Sequence, residues 1–127
     1  MRNTLRRIAV GGAAMMAVTA LTATPASAAS TGCKIPQGDY LTTCWTGNLS
    51  ATSTHKMQVQ ALAGWLQDTT CRMFDAANGV QVGSVTAGAP GTSNSTTISG
   101  LYGTYYVRCS VFDTYGSTGA GGYLRHG

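Results

Sequence analysis

The chain has 127 residues, of which 43% are hydrophobic and only 9% charged, and its four acidic residues are all aspartate. So low a charge density excludes a solvated disordered chain and any acidic or basic tail. The formal net charge of +4 points towards a polyanion partner, but Arg2, Arg6 and Arg7 supply most of it from the first seven residues.

Those residues open a leader. Met1 to Arg7 is basic, Ile8 to Ala20 is apolar and padded with Gly and Ala, and Ala26-Ser27-Ala28 is a small-x-small cleavage site behind Pro25. The pattern predicts a secretion signal over 1–28 and a single secreted domain over 29–127. A span needs about 20 apolar residues, so no membrane span is expected in the mature chain. Arg6-Arg7 leaves the twin-arginine route open, although the flanking residues fit general secretion better. After cleavage, Lys34, Lys56, Arg72, Arg108 and Arg125 stand against Asp39, Asp68, Asp75 and Asp113, a net of +1. The cations are scattered along the sequence rather than drawn into a stripe that could neutralise phosphates, so no nucleic-acid partner is expected. The Ala/Gly/Thr bias resembles that of exported bacterial proteins, and the expected location is extracellular.

In chain order, Cys33 to Cys44 reads as a loop. Leu41 to Ser50 alternates, placing Leu41, Trp45 and Leu49 on one side and Cys44 at the periphery. Met57 to Ala61 alternates cleanly as a strand, yet Met57, Ala61, Leu62 and Trp65 also fit a helical face, so strand and short helix both stay open over 57–67. Thr70 to Ala77 and Val80 to Val85 flank Asn78-Gly79, the strongest hairpin signal in the chain. A two-residue turn there pairs Asp75 with Val82 and Met73 with Ser84, with Cys71, Met73, Val80 and Val82 facing inwards and Arg72 outwards. Thr96 to Tyr102 is a further strand. Thr104 to Asp113 follows, with Tyr105, Val107, Cys109 and Val111 on one face and Tyr106, Arg108, Ser110 and Phe112 on the other. Gly122 to Arg125 is a last short strand. Short strands separated by turns at this spacing predict an all-β fold, an antiparallel β-sandwich.

A mature domain of this size buries a marginal core, which disulfides can reinforce. Four cysteines allow three pairings. The face assignments select Cys71–Cys109 as an interior bridge and Cys33–Cys44 as a staple near the N-terminus. The segment Ile98-Ser-Gly-Leu-Tyr-Gly-Thr-Tyr-Tyr-Val107 resembles the strand entry of bacterial immunoglobulin-like sandwiches, in which a leucine precedes a glycine turn and an alternating Tyr-x-Val strand. The resemblance implies an immunoglobulin-like sandwich and no particular activity. An antibody-type tyrosine corner puts tyrosine two residues before the cysteine, and Val107 occupies that place.

Catalytic constellations are sparse. The chain lacks a G-x-S-x-G elbow, a C-x-x-C pair and an alternating Asp/Asn calcium loop. An even cysteine count in an oxidising compartment leaves no free thiolate. His126 lies beside the chain end, where fraying is expected. No cofactor and no metal are expected, and the chain reads as a non-enzymatic binding module for an extracellular protein or glycan. Trp45 and Trp65 are expected in the core. Tyr102, Tyr106 and Tyr115 are the candidate binding residues, on a sheet face or in loops, because tyrosine offers broad contact at low entropy cost. Two other readings stay open: a small protease inhibitor presenting Lys34 from the Cys33–Cys44 loop, and a secreted hydrolase or toxin with an unrecognised site.

Overall fold

The computed structural model describes residues 29–38, 41–113, 115 and 117–127. The secretion signal expected over 1–28 lies outside them. Nine strands follow: β1 (Ser30–Lys34), β2 (Thr43–Trp45), β3 (Leu49–Ser50), β4 (Lys56–Leu62), β5 (Thr69–Asp75), β6 (Gln81–Ala87), β7 (Ser93–Ser99), β8 (Thr104–Ser110) and β9 (Gly121–His126). One sheet has the order β1-β9-β4-β7, and the other β2-β8-β5-β6 with β3 also on β8. All pairings are antiparallel. Among the described residues no helix is long and apolar enough to cross a membrane.

Period-two alternation explains the core. Met57, Val59 and Ala61 of β4 face Cys71 and Met73 of β5 and Val107 and Cys109 of β8, all fully buried. Leu124 of β9 joins them. The helix that also fitted 57–67 does not form, because β4 takes two strand partners, β9 and β7, and the chain then turns away into a loop.

The two disulfides pair as the faces predict, Cys33–Cys44 and Cys71–Cys109, but their architectural roles differ from the expectation. Cys33 lies on β1 of one sheet and Cys44 on β2 of the other, so this staple joins the two layers. Cys44 is buried, 8% exposed, where a peripheral position was expected. Cys71–Cys109 lies within one sheet, between strands paired directly opposite each other. An antibody-type bridge joins the two sheets instead, and antibody-type last strands share a sheet. Here β8 and β9 are in different sheets. The fold is a disulfide-bonded β-sandwich without those immunoglobulin hallmarks. By loop length alone the bridges contribute about 3 and about 4 kcal/mol respectively.

Other differences have local causes. Cys44 faces inwards opposite Cys109, so its neighbour Trp45 is exposed rather than in the core, as is Leu41 outside the strand; Thr46 to Asn48 then divides β2 from β3. The β5–β6 hairpin forms with a longer loop than two residues. Asp75 Oδ1 accepts from Ala77 N–H and Asn78 Oδ1 from Val80 N–H, and Gly79 alone takes positive φ, +72°. A register shift between Met73 and Phe74 then pairs Met73 with Gly83 and Cys71 with Val85. Val85 is therefore buried, and Val80 is exposed. The strand expected over Thr96 to Tyr102 is β7, which opens earlier, at Ser93, and ends at Ser99. His126 does not fray: it pairs with Met57, and its Nε2–H donates to Ser50 O at 2.8 Å.

Tyr105 makes a corner of its own. Its hydroxyl accepts from the N–H groups of Tyr102 and Gly103, each at 3.2 Å, just upstream on the chain. The position is four residues before Cys109 rather than two.

Gly122 faces the sulfurs. A Cβ there would lie 2.4 Å from Cys109 Sγ, 2.6 Å from Cys71 Sγ and 2.7 Å from Gln60 O. Gly122→Ala is expected to destabilise the fold by about 1–3 kcal/mol through overpacking, read as a lowered urea midpoint with an unchanged slope. Tyr105→Phe, which strips two backbone N–H groups of their acceptor, is expected to cost about 1–3 kcal/mol in the same assay.

Candidate functional site

The outward face of the β2-β8-β5 sheet carries the most developed side-chain cluster. Strand parity puts Tyr106 and Arg108 of β8 outwards, beside Trp45 of β2 and Arg72 and Phe74 of β5. The register forms two rows: Trp45, Arg108 and Arg72 in one, Tyr106 and Phe74 in the next. The rings touch. Trp45 and Tyr106 have centroids 5.6 Å apart, and Phe74 and Tyr106 stack at 5.5 Å. The Arg108 guanidinium lies 5.6 Å from the Trp45 centroid and 5.0 Å from that of Phe74. Cation–π attraction of this kind contributes about 0.5–1 kcal/mol at exposed sites.

Hydroxyls flank the rings. Ser50 Oγ and Thr104 Oγ1 bond at 2.8 Å at one end, and Thr70 Oγ1 and Thr86 Oγ1 at 2.9 Å at the other. Trp45 is 56% exposed. The result is a face with an aromatic and cationic centre and a hydroxyl margin, on strands rather than on loops.

The remaining candidates separate. Tyr106 belongs to this cluster. Tyr102 is elsewhere, 77% exposed, stacked on His55 at 4.1 Å. Tyr115 lines an open cleft of about 550 Å³ at the loop-bearing end, with Gln37, Trp65, Leu66 and Thr118. Trp65, expected in the core, is 65% exposed there, because the chain leaves β4 at Leu62 before reaching it. Lys34 is exposed, but the Lys34–Ile35 bond is not presented. Lys34 pairs with Gly121, Ile35 N–H donates to Ala120 O at 2.9 Å, and Ile35 is buried. A protease-binding loop needs that bond accessible, so this geometry speaks against the inhibitor reading.

No catalytic constellation forms among the described residues. His55 Nδ1–H donates to Leu101 O at 3.1 Å, so both histidines are tied to backbone carbonyls. Asp68, Asp75 and Asp113 accept from the loop N–H groups of Ala89, Ala77 and Tyr115. The sulfurs of Cys33, Cys44 and Cys109 lie within 4.8 Å of one another, but each is held in a disulfide and offers no thiolate to a metal.

From the sequence Trp45 is expected in the core, and neither Phe74 nor the arginines stand out as site residues. The signal was present in the dipeptides Cys71-Arg72 and Arg108-Cys109. Once the cysteines pair across neighbouring antiparallel strands, the arginines must meet on the opposite face. No protein-family model and no curated protein sequence matches the chain.

A double-mutant cycle on Trp45→Ala and Arg108→Ala is expected to give a coupling energy of about 0.5–1 kcal/mol in thermal or urea unfolding. Coupling indistinguishable from zero would show that the guanidinium does not rest on the ring in solution.

Proposed function

We propose that this protein is a secreted, non-catalytic module that binds an extracellular glycan through the outward face of the β2-β8-β5 sheet. The observation that carries the reading is the contiguous cluster of Trp45, Tyr106, Phe74 and Arg108 on paired strands, with Trp45 exposed and the other three half-buried around it. Apolar ring edges and faces suit the C–H faces of sugars, and the surrounding Ser and Thr hydroxyls suit their polar groups.

Size favours a glycan over a protein here. Three strands at about 4.8 Å spacing and seven residues at about 3.3 Å give a face of roughly 14 by 23 Å. That is less than half of the ~800 Å² per partner of a stable protein interface. An oligosaccharide fits the smaller area. The export signal read over 1–28, the oxidised cysteines and the bacterial composition agree with work outside the cell. An immunoglobulin-like ancestry, implied by the Ile98 to Val107 segment, is compatible with this reading and adds no activity to it. A second reading, a protein held at the loop-bearing end, is favoured by the exposure of Trp65, Leu66, Phe112 and Tyr115.

The test is a panel of immobilised polysaccharides with the oxidised mature chain. Trp45→Ala and Tyr106→Ala are each expected to weaken retention about tenfold, as about 1.4 kcal/mol of lost contact requires, with an unchanged circular dichroism spectrum. Trp65→Ala is expected to leave retention unaltered. Loss of binding in Trp65→Ala, with the sheet-face variants intact, would move the site to the loops.

A further inference from the structure

Resting on the glycan reading, we propose that the ligand is a carboxylate-bearing polysaccharide, a polyuronate, whose acid groups are taken by Arg72 and Arg108.

The two arginines are direct cross-strand partners on β5 and β8. Like charges placed directly opposite across an antiparallel pair repel and destabilise it. One residue along, the Cys71–Cys109 disulfide joins the same two strands, so the pair cannot slip out of register to escape. No described acid relieves it. The register surrounds the pair with Trp45 beyond Arg108 and Ser84 beyond Arg72, and with Thr70 and Ser110 as the adjoining outward pair. The described aspartates Asp68, Asp75 and Asp113 are committed to loop N–H groups. Five cations, Lys34, Lys56, Arg72, Arg108 and Arg125, all lie on strands. Only Arg72 and Arg108 are direct register partners.

The chemistry of the missing anion follows from the guanidinium. Arginine presents five N–H donors in a planar fork that matches the two oxygens of a carboxylate. Arg108 packs over Trp45 and Phe74, which occupies its π faces and leaves its edge N–H donors for a ligand. A sugar ring against Trp45 would then carry its carboxylate to the arginine pair. Two cations suit a polymer with one acid per sugar. A densely sulfated chain needs a longer basic track, and the face offers none beyond this pair.

The oxidised mature chain is titrated with polygalacturonate, dextran and dextran sulfate. The inference expects polygalacturonate to bind at least tenfold more tightly than dextran and to weaken as salt rises. Arg72→Gln should reduce polygalacturonate binding about tenfold. Arg72→Lys keeps the charge but loses the fork, and should reduce it at least threefold. Without ligand, Arg72→Gln should raise the thermal midpoint by relieving the repulsion. Equal binding of dextran and polygalacturonate, with Arg72→Gln unaffected, overturns the inference while leaving a glycan site in place. So does dextran sulfate binding as tightly as polygalacturonate, or a midpoint lowered by Arg72→Gln. Binding to none of the three, with Trp45→Ala also without effect across neutral and acidic glycans, overturns the inference and the glycan reading together.

Discussion

One row of sulfurs sets the register of the sheet that carries the candidate site. Cys44, Cys109 and Cys71 lie side by side across β2, β8 and β5, and Cys33 reaches the same cluster from the other layer. Side chains alternate with period two, so fixing one residue on each strand fixes the face of every other residue. The next row along is Trp45, Arg108 and Arg72, pointing the opposite way. A slip of one residue would bury both arginines and expose the bridge. The covalent bonds therefore act on the outer surface as much as on the core. They also reinforce a small domain in which Ala61, Ala63, Ala87 and Ala120 fill buried positions and contribute little apolar area each.

The position of Gly122 belongs to the same constraint. Two disulfides packed against one another occupy space that another side chain would contest, and the strand of the facing sheet yields it by having none there. The layers meet closely at this point because sulfur, rather than a large aliphatic group, fills the gap.

Much of the fold was legible from local alternation. The strand carrying Tyr105, Val107, Cys109 and Val111 was read with the correct face for each residue, because its register is regular and its inward residues are all apolar. The Cys71–Cys109 pairing follows from the same parity, and Cys33–Cys44 is the pair that remains, although Cys44 is buried rather than peripheral. Failures came where the period breaks. Thr46 to Asn48 interrupts the 41–50 pattern, so Leu49 packs against the core while Trp45 faces out, which a count by twos could not anticipate. Asp75 and Asn78 each capture a nearby N–H and lengthen a loop that Asn-Gly alone would have closed in two residues. Ser30 to Lys34 has almost no apolar signal, since as an edge strand it needs only backbone partners, and so β1 went unread. The site was half visible: Tyr106 was selected as a candidate, but its companions depend on which strands neighbour one another, a property of topology rather than of any segment.

The topology carries a temporal consequence. β9, the last of the described strands, lies between β1, the first of them, and β4. Until it arrives, β1 has no strand to bond with in its own layer, and β4 has β7 alone. Pairings between distant parts of a chain form slowly because loop closure must come first. Half of the sandwich thus stays open until β9 has paired. The β5-β8 half, whose partners lie within the chain's interior, can assemble beforehand and wait for it.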